Sequence, residues 1–302
     1  MRDPLAWLYL TGFKLHQRMA RPRKVKSKVI CVGNLTVGGS GKTPLVIHLV
    51  EQLARRGFKP AVLSRGYGSR SKGLRVAGPD SDPRVVGDEP VLISTRTGAA
   101  VFVHENRYKA GLAAAEAGFD PLIMDDGFQN THLVKDICIL VISAADLEKP
   151  VKLLPTGRWR EPLSSASKAD MVIINNKFVP EPKRVLHLPA RVRTANMAYQ
   201  TSLDLRGQRV FGFSGLGDND SFKRALKVLG AEIVGFKGFS DHHFYSQREI
   251  SSLMKKARGL RARLITTEKD AVRLKKDQLS EISVLKIEVE IFPGDALSFV
   301  YD

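Results

Sequence analysis

The segment Gly33-Asn-Leu-Thr-Val-Gly-Gly-Ser-Gly-Lys-Thr43 is the most informative part of this sequence, because it has the composition of a phosphate-binding loop. It follows the apolar run Lys28-Val-Ile-Cys-Val32, which is typical of a buried strand, and precedes a helical pattern over residues 43–56. Glycines let the backbone wrap around phosphate groups, and a helix N-terminus adds a positive dipole. A lysine here reaches the β- and γ-phosphates of ATP, and the next hydroxyl binds Mg²⁺. The predicted phosphate-contacting residues are Thr36, Val37, Gly38, Gly39, Ser40, Gly41, Lys42 and Thr43.

The start of this loop is irregular. The usual pattern has a glycine five residues before the glycine of the Gly-Lys pair, and this chain has Thr36 there. Gly33 and Gly38 are expected to share that duty in a longer loop. A glycine turn that binds nothing is the alternative, but the flanking strand and helix favour the phosphate site.

A second candidate element is Pro121-Leu-Ile-Met-Asp125-Asp126-Gly127. Phosphate-loop enzymes hold Mg²⁺ with an acidic residue at the end of an apolar strand, and ligands of open α/β sheets bind at that end. A turn without a ligand is the alternative. With the phosphate loop in the same chain, the pattern favours magnesium, and the spacing does not choose between Asp125 and Asp126.

Strand-like runs and helical patterns alternate along the chain. Strands are predicted at 61–63, 101–103, 122–124, 137–142, 171–174, 210–213, 232–234, 263–266 and 284–291, and helices at 91–97, 105–118, 221–229 and 248–258. This alternation predicts an α/β fold with a doubly wound, mostly parallel sheet of the P-loop kinase type. Prolines interrupt the pattern near residues 180–205. The predicted divisions are residues 1–27, a core over 28–200 and a smaller α/β domain over 201–302.

The composition is strongly basic. Against 31 acidic residues stand 48 basic ones, which gives a net charge of +17. Such a chain attracts nucleic acid, anionic lipid or phosphorylated substrates, and composition does not choose among them. The two cysteines lie far apart in apolar runs, which excludes a zinc cluster or a disulfide framework and favours a reducing cytosol.

The N-terminal segment is amphipathic. Leu5, Leu8, Leu15 and Met19 fall on one side of a helical projection, and a basic run follows over residues 18–28. The apolar part is shorter than the ~20 residues that span a bilayer. One interpretation is a helix in the interface of an anionic membrane. The other is a helix packed on the core of the protein, followed by a solvated linker.

Other charged motifs are ambiguous by themselves. Gly87-Asp-Glu-Pro90 suits a helix cap or a carboxylate that accepts a proton. Ser240-Asp-His-His243 suits polar residues in contact with solvent or an imidazole oriented by an acid. The segments over 158–161 and 266–270 suit contacts to phosphate or plain charged loops. Asn176-Lys177 suggests guanine recognition, but Val179 stands where an acid is required, so GTP is disfavoured.

Eight of these motifs stand in one order along the chain. They are Val32-Gly-Asn-Leu-Thr-Val-Gly-Gly-Ser-Gly-Lys-Thr-Pro44, Leu63-Ser-Arg-Gly-Tyr-Gly68, Gly87-Asp-Glu-Pro90, Asp125-Asp-Gly-Phe-Gln129, Leu153-Leu-Pro-Thr-Gly157, Arg160-Glu-Pro162, Asp241-His-His243 and Thr267-Glu-Lys-Asp270. Each is short, but together they cover most of the chain in register. In these motifs the chain resembles the tetraacyldisaccharide 4′-kinases, the lipid A 4′-kinases of Gram-negative bacteria.

The resemblance implies transfer of the γ-phosphate of ATP to the 4′-hydroxyl of a tetraacylated disaccharide 1-phosphate, the lipid A precursor, to form lipid IVA. It implies Mg²⁺ as a cofactor, a smaller C-terminal unit and a peripheral place on the cytoplasmic face of the inner membrane. Lys42 would bind phosphates, and Asp88 with His242, or with His243, would activate the hydroxyl. The implied metal-linked residues are Thr43, Asp125, Asp126 and Glu161, and the implied substrate residues are Asn34, Arg65, Glu89, Arg107 and Gln129.

Two loops depart from the family pattern. Arg158-Trp159 replaces smaller residues, and Gly217-Asp-Asn-Asp220 replaces Gly-Asn-Pro. Two other function classes remain as alternatives. A basic ATPase acting on nucleic acid fits the charge, but no aromatic-interleaved basic stripe or nucleic-acid module supports it, so no nucleic-acid partner is expected. A membrane-surface adaptor without catalysis is the third.

Overall fold

The computed structural model describes residues 4–66, 73–178, 189 and 192–301. The strands are β1 (Val29–Gly33), β2 (Ala61–Ser64), β3 (Arg75–Ala77), β4 (Val101–Val103), β5 (Leu122–Asp125), β6 (Ile137–Ser143), β7 (Met171–Lys177), β8 (Arg193–Gln200), β9 (Arg209–Ser214), β10 (Glu232–Gly238), β11 (Arg263–Thr267), β12 (Ser283–Leu285) and β13 (Glu288–Phe292). The helices are α1 (Pro4–Met19), α2 (Lys42–Arg55), α3 (Pro83–Val86), α4 (Asp88–Thr97), α5 (Arg107–Glu116), α6 (Ala144–Leu147), α7 (Asn219–Val228), α8 (Gln247–Gly259), α9 (Glu268–Ala271), α10 (Lys276–Leu279) and α11 (Ser298–Tyr301), with a 3-10 helix over Leu163–Lys168.

A nine-stranded sheet has the order β13-β8-β7-β6-β1-β5-β2-β4-β3. The pairs from β8 to β4 are parallel, and only the edge strands β13 and β3 pair antiparallel with their neighbours. The P-loop-type, mostly parallel α/β fold predicted from the sequence is confirmed. The central strand β1, between β5 and β6, delivers the glycine loop to the carboxyl edge of the sheet.

Side chains of β1 are buried on both faces of this sheet. Ile30 and Val32 join the core beneath α2, whereas Val29 and Cys31 join the cores on the opposite face. Successive side chains of a strand point to opposite faces, so a strand covered by helices on both sides must be apolar throughout. This is why the run was continuous rather than alternating in the sequence.

A smaller sheet follows, with four parallel strands in the order β10-β9-β11-β12. Helix α8 packs Ile250 and Leu253 against Phe213 of β9, and α7 packs Leu226 on the other side. A capping box at Ser246, whose hydroxyl accepts from Glu249, begins α8.

The C-terminus corrects one prediction. A single strand was predicted over 284–291 in the smaller unit, but the structure has two strands in two sheets. Strand β12 ends at Leu285, the backbone N–H of Ile287 donates to Glu268 Oε2 at 2.9 Å, and β13 then pairs with β8 in the large sheet. Leu297 and Val300 also pack in the core of the large sheet. The division of the chain at residue 201 stays a prediction.

The interruption predicted near 180–205 contains strand β8, while Pro180 and Pro182 lie outside the described residues. Strand β8 pairs with β7 and β13 and buries Ala195 and Met197. Its polar alternation in sequence had hidden it, because a strand near a sheet edge has only one strongly buried face.

Helix α1 has an exposed apolar side and a side that contacts the protein, where Ala6 is buried and Tyr9, Leu10 and Phe13 are half-buried. The exposed fractions are 62% for Trp7, 64% for Leu8, 58% for Leu15 and 75% for Met19. The basic residues Arg18, Arg21, Arg23, Lys24 and Lys26 beyond them are exposed as well. The choice between a membrane-interface helix and a helix packed on the protein therefore stays a prediction, since one side of α1 is exposed and the other is in contact. Among the described residues, no helix is long and apolar enough to cross a membrane.

Candidate active site

The glycine loop bends at two left-handed residues. Gly38 and Gly41 have φ angles of 104° and 103°, which side chains rarely tolerate. The buried Asn34 amide stabilises the bend by donating to Thr36 O at 2.6 Å and to Ser40 Oγ at 2.9 Å. Helix α2 begins directly after Gly41, and its first N–H groups have no partners within the helix. Such an arrangement binds phosphate.

Strand β7 supports the loop from behind. The Asn175 amide donates to Ser40 O at 2.8 Å and to the Tyr199 hydroxyl at 2.7 Å. A Cβ atom at Gly41 would overlap the Asn175 amide and the Tyr199 hydroxyl. A glycine is therefore required here by close approach as well as by its φ angle.

The two segments that depart from the family pattern stabilise different parts of the structure, the glycine loop and the start of α7. The Arg158 guanidinium donates to Val37 O at 2.9 Å, and Arg158 O accepts from Val37 N at 2.8 Å. Trp159 is buried in the core beside β6. In the other departing loop, Asp218 caps α7 by accepting from Ser221 N.

Lys42 and Asp126 meet at the mouth of the loop. Lys42 Nζ lies 3.5 Å from Asp126 Oδ1, and Arg160 Nη1 donates to both oxygens of that carboxylate at 3.0 and 3.1 Å. Burial would raise the pKa of Asp126, but the charges of Lys42 and Arg160 outweigh it and lower the pKa. This carboxylate is therefore anionic, and it holds Lys42 close to where phosphates would lie.

Asp125 has a different environment from its neighbour. Its side chain is buried, and its Oδ1 is one of the few buried polar atoms in the described residues without a hydrogen-bond partner. Burial, with the nearby charge of Glu89, raises the pKa of Asp125 to about 7. An oxygen ligand that needs a positive partner suits a magnesium ion.

The donor set fits magnesium held together with phosphates. No group of three or more His, Cys, Asp or Glu side chains in the described part of the chain could hold a metal ion alone. Magnesium commonly keeps several waters and takes only one or two carboxylates besides phosphate oxygens. Asp125 and the hydroxyl of Thr43, at the start of α2, suit that role.

Glu161 and Gln129 form a polar wall beside the loop. Gln129 Nε2 donates to Asn34 O and to Glu161 Oε1, both at 3.0 Å, and Arg160 Nη1 donates to Gln129 Oε1 at 3.2 Å. Lys168 Nζ lies 3.4 Å from Glu161 Oε2. The structure thus brings four predicted site residues, Asn34, Asp126, Gln129 and Glu161, into one network.

Arg107 lies beneath the acidic pair rather than on an open surface. It is 4% exposed, and it donates to His104 O at 3.0 Å and to Asp125 O at 3.5 Å. Burial lowers its pKa to about 10, although Asp125 and Asp126 favour its charged form. Arg65, another predicted substrate residue, is exposed after β2, and the next residues of its motif, 67 and 68, lie outside the described residues.

Asp88 and His242 are in contact although 154 positions separate them. The carboxylate of Asp88, at the start of α4, lies with Oδ2 2.8 Å from His242 Nδ1. This hydrogen bond and the charge of Lys269 outweigh burial and lower the pKa of Asp88. The same bond raises the pKa of His242 against the effect of burial. His243 faces elsewhere, with Nε2 3.1 Å from Glu249 Oε1.

Glu89 and Lys269 form a second contact between the two sheets. Lys269 Nζ donates to Glu89 Oε1 at 2.9 Å. Burial disfavours the ammonium ion, but Glu89 and Asp88 together raise the pKa of Lys269. This pairing could not be predicted from the sequence, because nothing in either motif indicates its partner. Glu89, the residue next to Asp88, also raises the pKa of Asp125 at the end of β5.

Helix α1 borders the same site. Arg160 and Glu161 both influence the pKa of Tyr9, which burial raises. A shallow apolar hollow of about 470 Å³ lies between α1 and Pro155, lined also by Leu5, Leu8, Tyr9, Gly12 and Phe13. An exposed apolar surface therefore adjoins the cluster of charged and polar groups.

Comparison with known proteins gives a consistent result. The family model described as tetraacyldisaccharide-1-P 4′-kinase matches residues 2–300. The tetraacyldisaccharide 4′-kinase of Parvibaculum lavamentivorans is 37% identical over 312 residues, covering 97% of this chain and 88% of the relative. That of Brucella anthropi is 35% identical, covering 99% and 90%. The crystal structure of LpxK from Aquifex aeolicus in complex with ATP is similar with a TM-score of 0.79 and 28% identity, covering 99% of this chain and 98% of that one.

Proposed function

The chain belongs to the tetraacyldisaccharide-1-P 4′-kinase family, and we propose that its glycine loop and its Asp88–His242 pair carry out phosphoryl transfer between them. It is a kinase that uses ATP to phosphorylate the lipid A precursor at the 4′ position. The observation that supports the residue assignment is the contact of His242 with Asp88, whose neighbour Glu89 raises the pKa of Asp125 at the end of β5.

The loop binds and orients the phosphates of ATP. Phosphoryl transfer depends mainly on positioning and on neutralising charge on the transferred group. The amides at the start of α2 and the ammonium of Lys42 serve this purpose. When bound, Mg²⁺ adds positive charge at the phosphate oxygens, and Thr43, Asp125, Asp126 and Glu161 are the side chains proposed to hold it directly or through water.

The Asp88–His242 pair accepts the proton of the sugar hydroxyl. Asp88 is anionic because its pKa is lowered, so His242 donates Nδ1–H to it, and Nε2, with Asp241 Oδ2 at 3.7 Å, is the nitrogen proposed to take the proton. As the hydroxyl oxygen bonds to the γ-phosphorus and ADP departs, the hydroxyl proton passes to Nε2. General base assistance of this type contributes about 10²–10⁴ in rate.

The membrane surface is the proposed location of this reaction. The exposed apolar side chains of α1 match the acyl layer, and the basic residues after it match anionic headgroups, each contributing about 1 kcal/mol near such a surface. The acyl chains of the lipid would lie along the hollow beside Tyr9, whose hydroxyl is near Arg160 and Glu161. This arrangement supports a peripheral protein on the cytoplasmic face of the inner membrane.

A transfer assay tests the function. The protein is incubated with γ-labelled ATP, Mg²⁺ and tetraacyldisaccharide 1-phosphate in detergent micelles, with Lys42→Ala as the control. A labelled lipid product that disappears with Lys42→Ala is expected. ATP hydrolysis that DNA or RNA stimulates, without any labelled lipid, would refute the function and support an ATPase acting on nucleic acid. Vesicle binding without any labelled product would refute it in favour of an adaptor.

A further inference from the structure

Arg273 is an arginine whose side chain is fully buried between the two sheets. Charged side chains are almost never fully buried unless they are paired. Arg273 donates from Nε to Lys269 O at 3.0 Å, from Nη1 to His243 O at 3.1 Å, and from Nη2 to Gly215 O at 3.2 Å. It also pairs with Asp270, Nη2 to Oδ1, at 2.8 Å. The mechanism described above assigns this side chain no role.

The two loop carbonyls bound by Arg273 flank His242. Gly215 O also accepts a hydrogen bond from His242 N at 3.3 Å, and the carbonyl of His243 belongs to the residue after it. His242 itself has a φ of 58°, in the left-handed region. A non-glycine residue persists there only when its surroundings hold it. The guanidinium group supplies two of the bonds that hold the loop in this conformation.

The charge of Arg273 also acts on the other member of the pair. Its Nε lies 3.7 Å from Asp88 Oδ2, and its positive charge favours the anionic form of Asp88. The other charged groups near Asp88 are His242 and Lys269. One side chain thus touches both the backbone that carries the imidazole and the carboxylate that orients it.

Asp270 fixes the guanidinium in turn. Its Oδ1 accepts from Tyr245 OH at 2.6 Å and from Gly215 N at 2.8 Å, and its Oδ2 accepts from Thr267 Oγ1 at 2.6 Å. The Asp270–Arg273 pair is fully buried, with both side chains at 0% exposure. Through these hydrogen bonds the pair connects α9, the loop after β9 and the loop over residues 240–245 that contains His242.

We propose that Arg273 is a positioning residue for phosphoryl transfer: it fixes the backbone on both sides of His242 and sets the imidazole against Asp88. The proposal rests on the proposed function, in which that pair accepts the hydroxyl proton. Lysine cannot replace Arg273, because a single ammonium group does not span two carbonyls and a carboxylate as the planar guanidinium fork does.

A double-variant experiment separates positioning from a merely structural role. Steady-state transfer by the full-length protein is measured for wild type, Asp88→Asn, Arg273→Lys and Asp88→Asn/Arg273→Lys, together with ATP affinity and thermal unfolding. Arg96→Lys is the matched control, because Arg96 joins the same helices, α4 and α9, through Glu268, far along α4 from Asp88.

The expected result is a kcat lower by about 10²-fold for Arg273→Lys, since displacement by about 1 Å has that effect. ATP affinity and Arg96→Lys activity should stay within about threefold of wild type. In the Asp88→Asn background, Arg273→Lys should lower kcat by less than about threefold, because residues that act through one another are not additive.

Multiplicative effects of the two substitutions, or an unchanged kcat in Arg273→Lys, would overturn the positioning role while wild-type transfer still supports the proposed function. A wild-type protein that forms no labelled lipid refutes the proposed function and the inference with it. If Arg273→Lys does not fold, Asp270→Asn/Arg273→Gln, which removes both charges of the buried pair together, replaces it in the same comparison and is judged by the same criteria.

Discussion

The substitution Asp88→Asn removes one charge from the centre of the site and almost no volume. The carboxylate is 2% exposed, receives the His242 hydrogen bond at 2.8 Å and has Arg273 at 3.7 Å. An amide still accepts from His242 but no longer favours a positive imidazole. We expect kcat for transfer to the lipid acceptor to fall by about 10²–10⁴, the contribution of a general base.

ATP binding should hardly change, because Lys42 and the glycine loop do not contact Asp88 in the described hydrogen bonds and ion pairs. The free energy of unfolding should fall by about 1–3 kcal/mol, the effect of losing one charged hydrogen-bond partner in a buried place. Arg273 limits the loss, since it keeps its pairing with Asp270.

The measurements are initial rates with labelled ATP, calorimetric titration with ATP and unfolding in urea. Asp80→Asn is the matched control: Asp80 also pairs across the two sheets, with Lys276 at 3.1 Å, but both side chains are exposed, so its loss should cost about 0–1 kcal/mol and no activity. A fall in kcat of less than about tenfold, or a loss of ATP affinity as large as the loss of kcat, would refute the assignment of Asp88 as part of the base and leave it as the start of a helix.

Three further predictions concern other parts of the molecule. We expect NMR to show a pKa of His242 above its ordinary 6.5, because Asp88 favours the charged imidazole. The contribution of this pair to the free energy of unfolding should then be full below pH 6.5 and be lost as the pH rises through the raised pKa. Asp88→Asn should lower the pKa of His242, and an unchanged pKa would contradict the pairing. Leu8→Glu should weaken binding to anionic vesicles by more than tenfold, because a leucine buried in the acyl layer contributes about 1.5–3 kcal/mol. Phosphoryl transfer to the acceptor in detergent should persist. Unchanged vesicle binding would show that α1 does not contact the membrane. Gly41→Ala should weaken ATP binding, measured by calorimetry, since its Cβ meets the Asn175 amide at a φ of 103°, and normal affinity would contradict the loop geometry.

The predictions that succeeded rest on contiguous sequence. The order of strand, glycine loop, Lys42 and helix identifies the phosphate loop within about 25 residues, and continuous apolar runs identify strands buried on both faces. Local pattern failed at the C-terminus, where Leu285 and Glu288 lie in one strand-like segment of the sequence yet belong to different sheets. The chain passes from the smaller sheet to the large one at Ile287, whose backbone N–H donates to the Glu268 carboxylate.

The candidate site shows the same limit. Asp88 and the Asp-His-His motif were visible as ambiguous residues, and the sequence left His242 and His243 as alternatives. Arg273 had no signal at all, because an arginine in the turn after a short helix, three residues beyond an aspartate, is usually part of a solvated pair. Its burial between the two sheets gives it a different role from the one its sequence context suggests.

The glycine loop, the acidic pair at the end of β5 and the α/β alternation could be predicted from neighbouring residues, since each follows from hydrogen bonding and burial among neighbours in the chain. Three features depend instead on tertiary packing: which histidine contacts Asp88, the pairing of Glu89 with Lys269, and the exposure of the leucine side of α1. These contacts join residues up to 180 positions apart. Their geometry is set by how two sheets pack against each other, which local sequence does not encode.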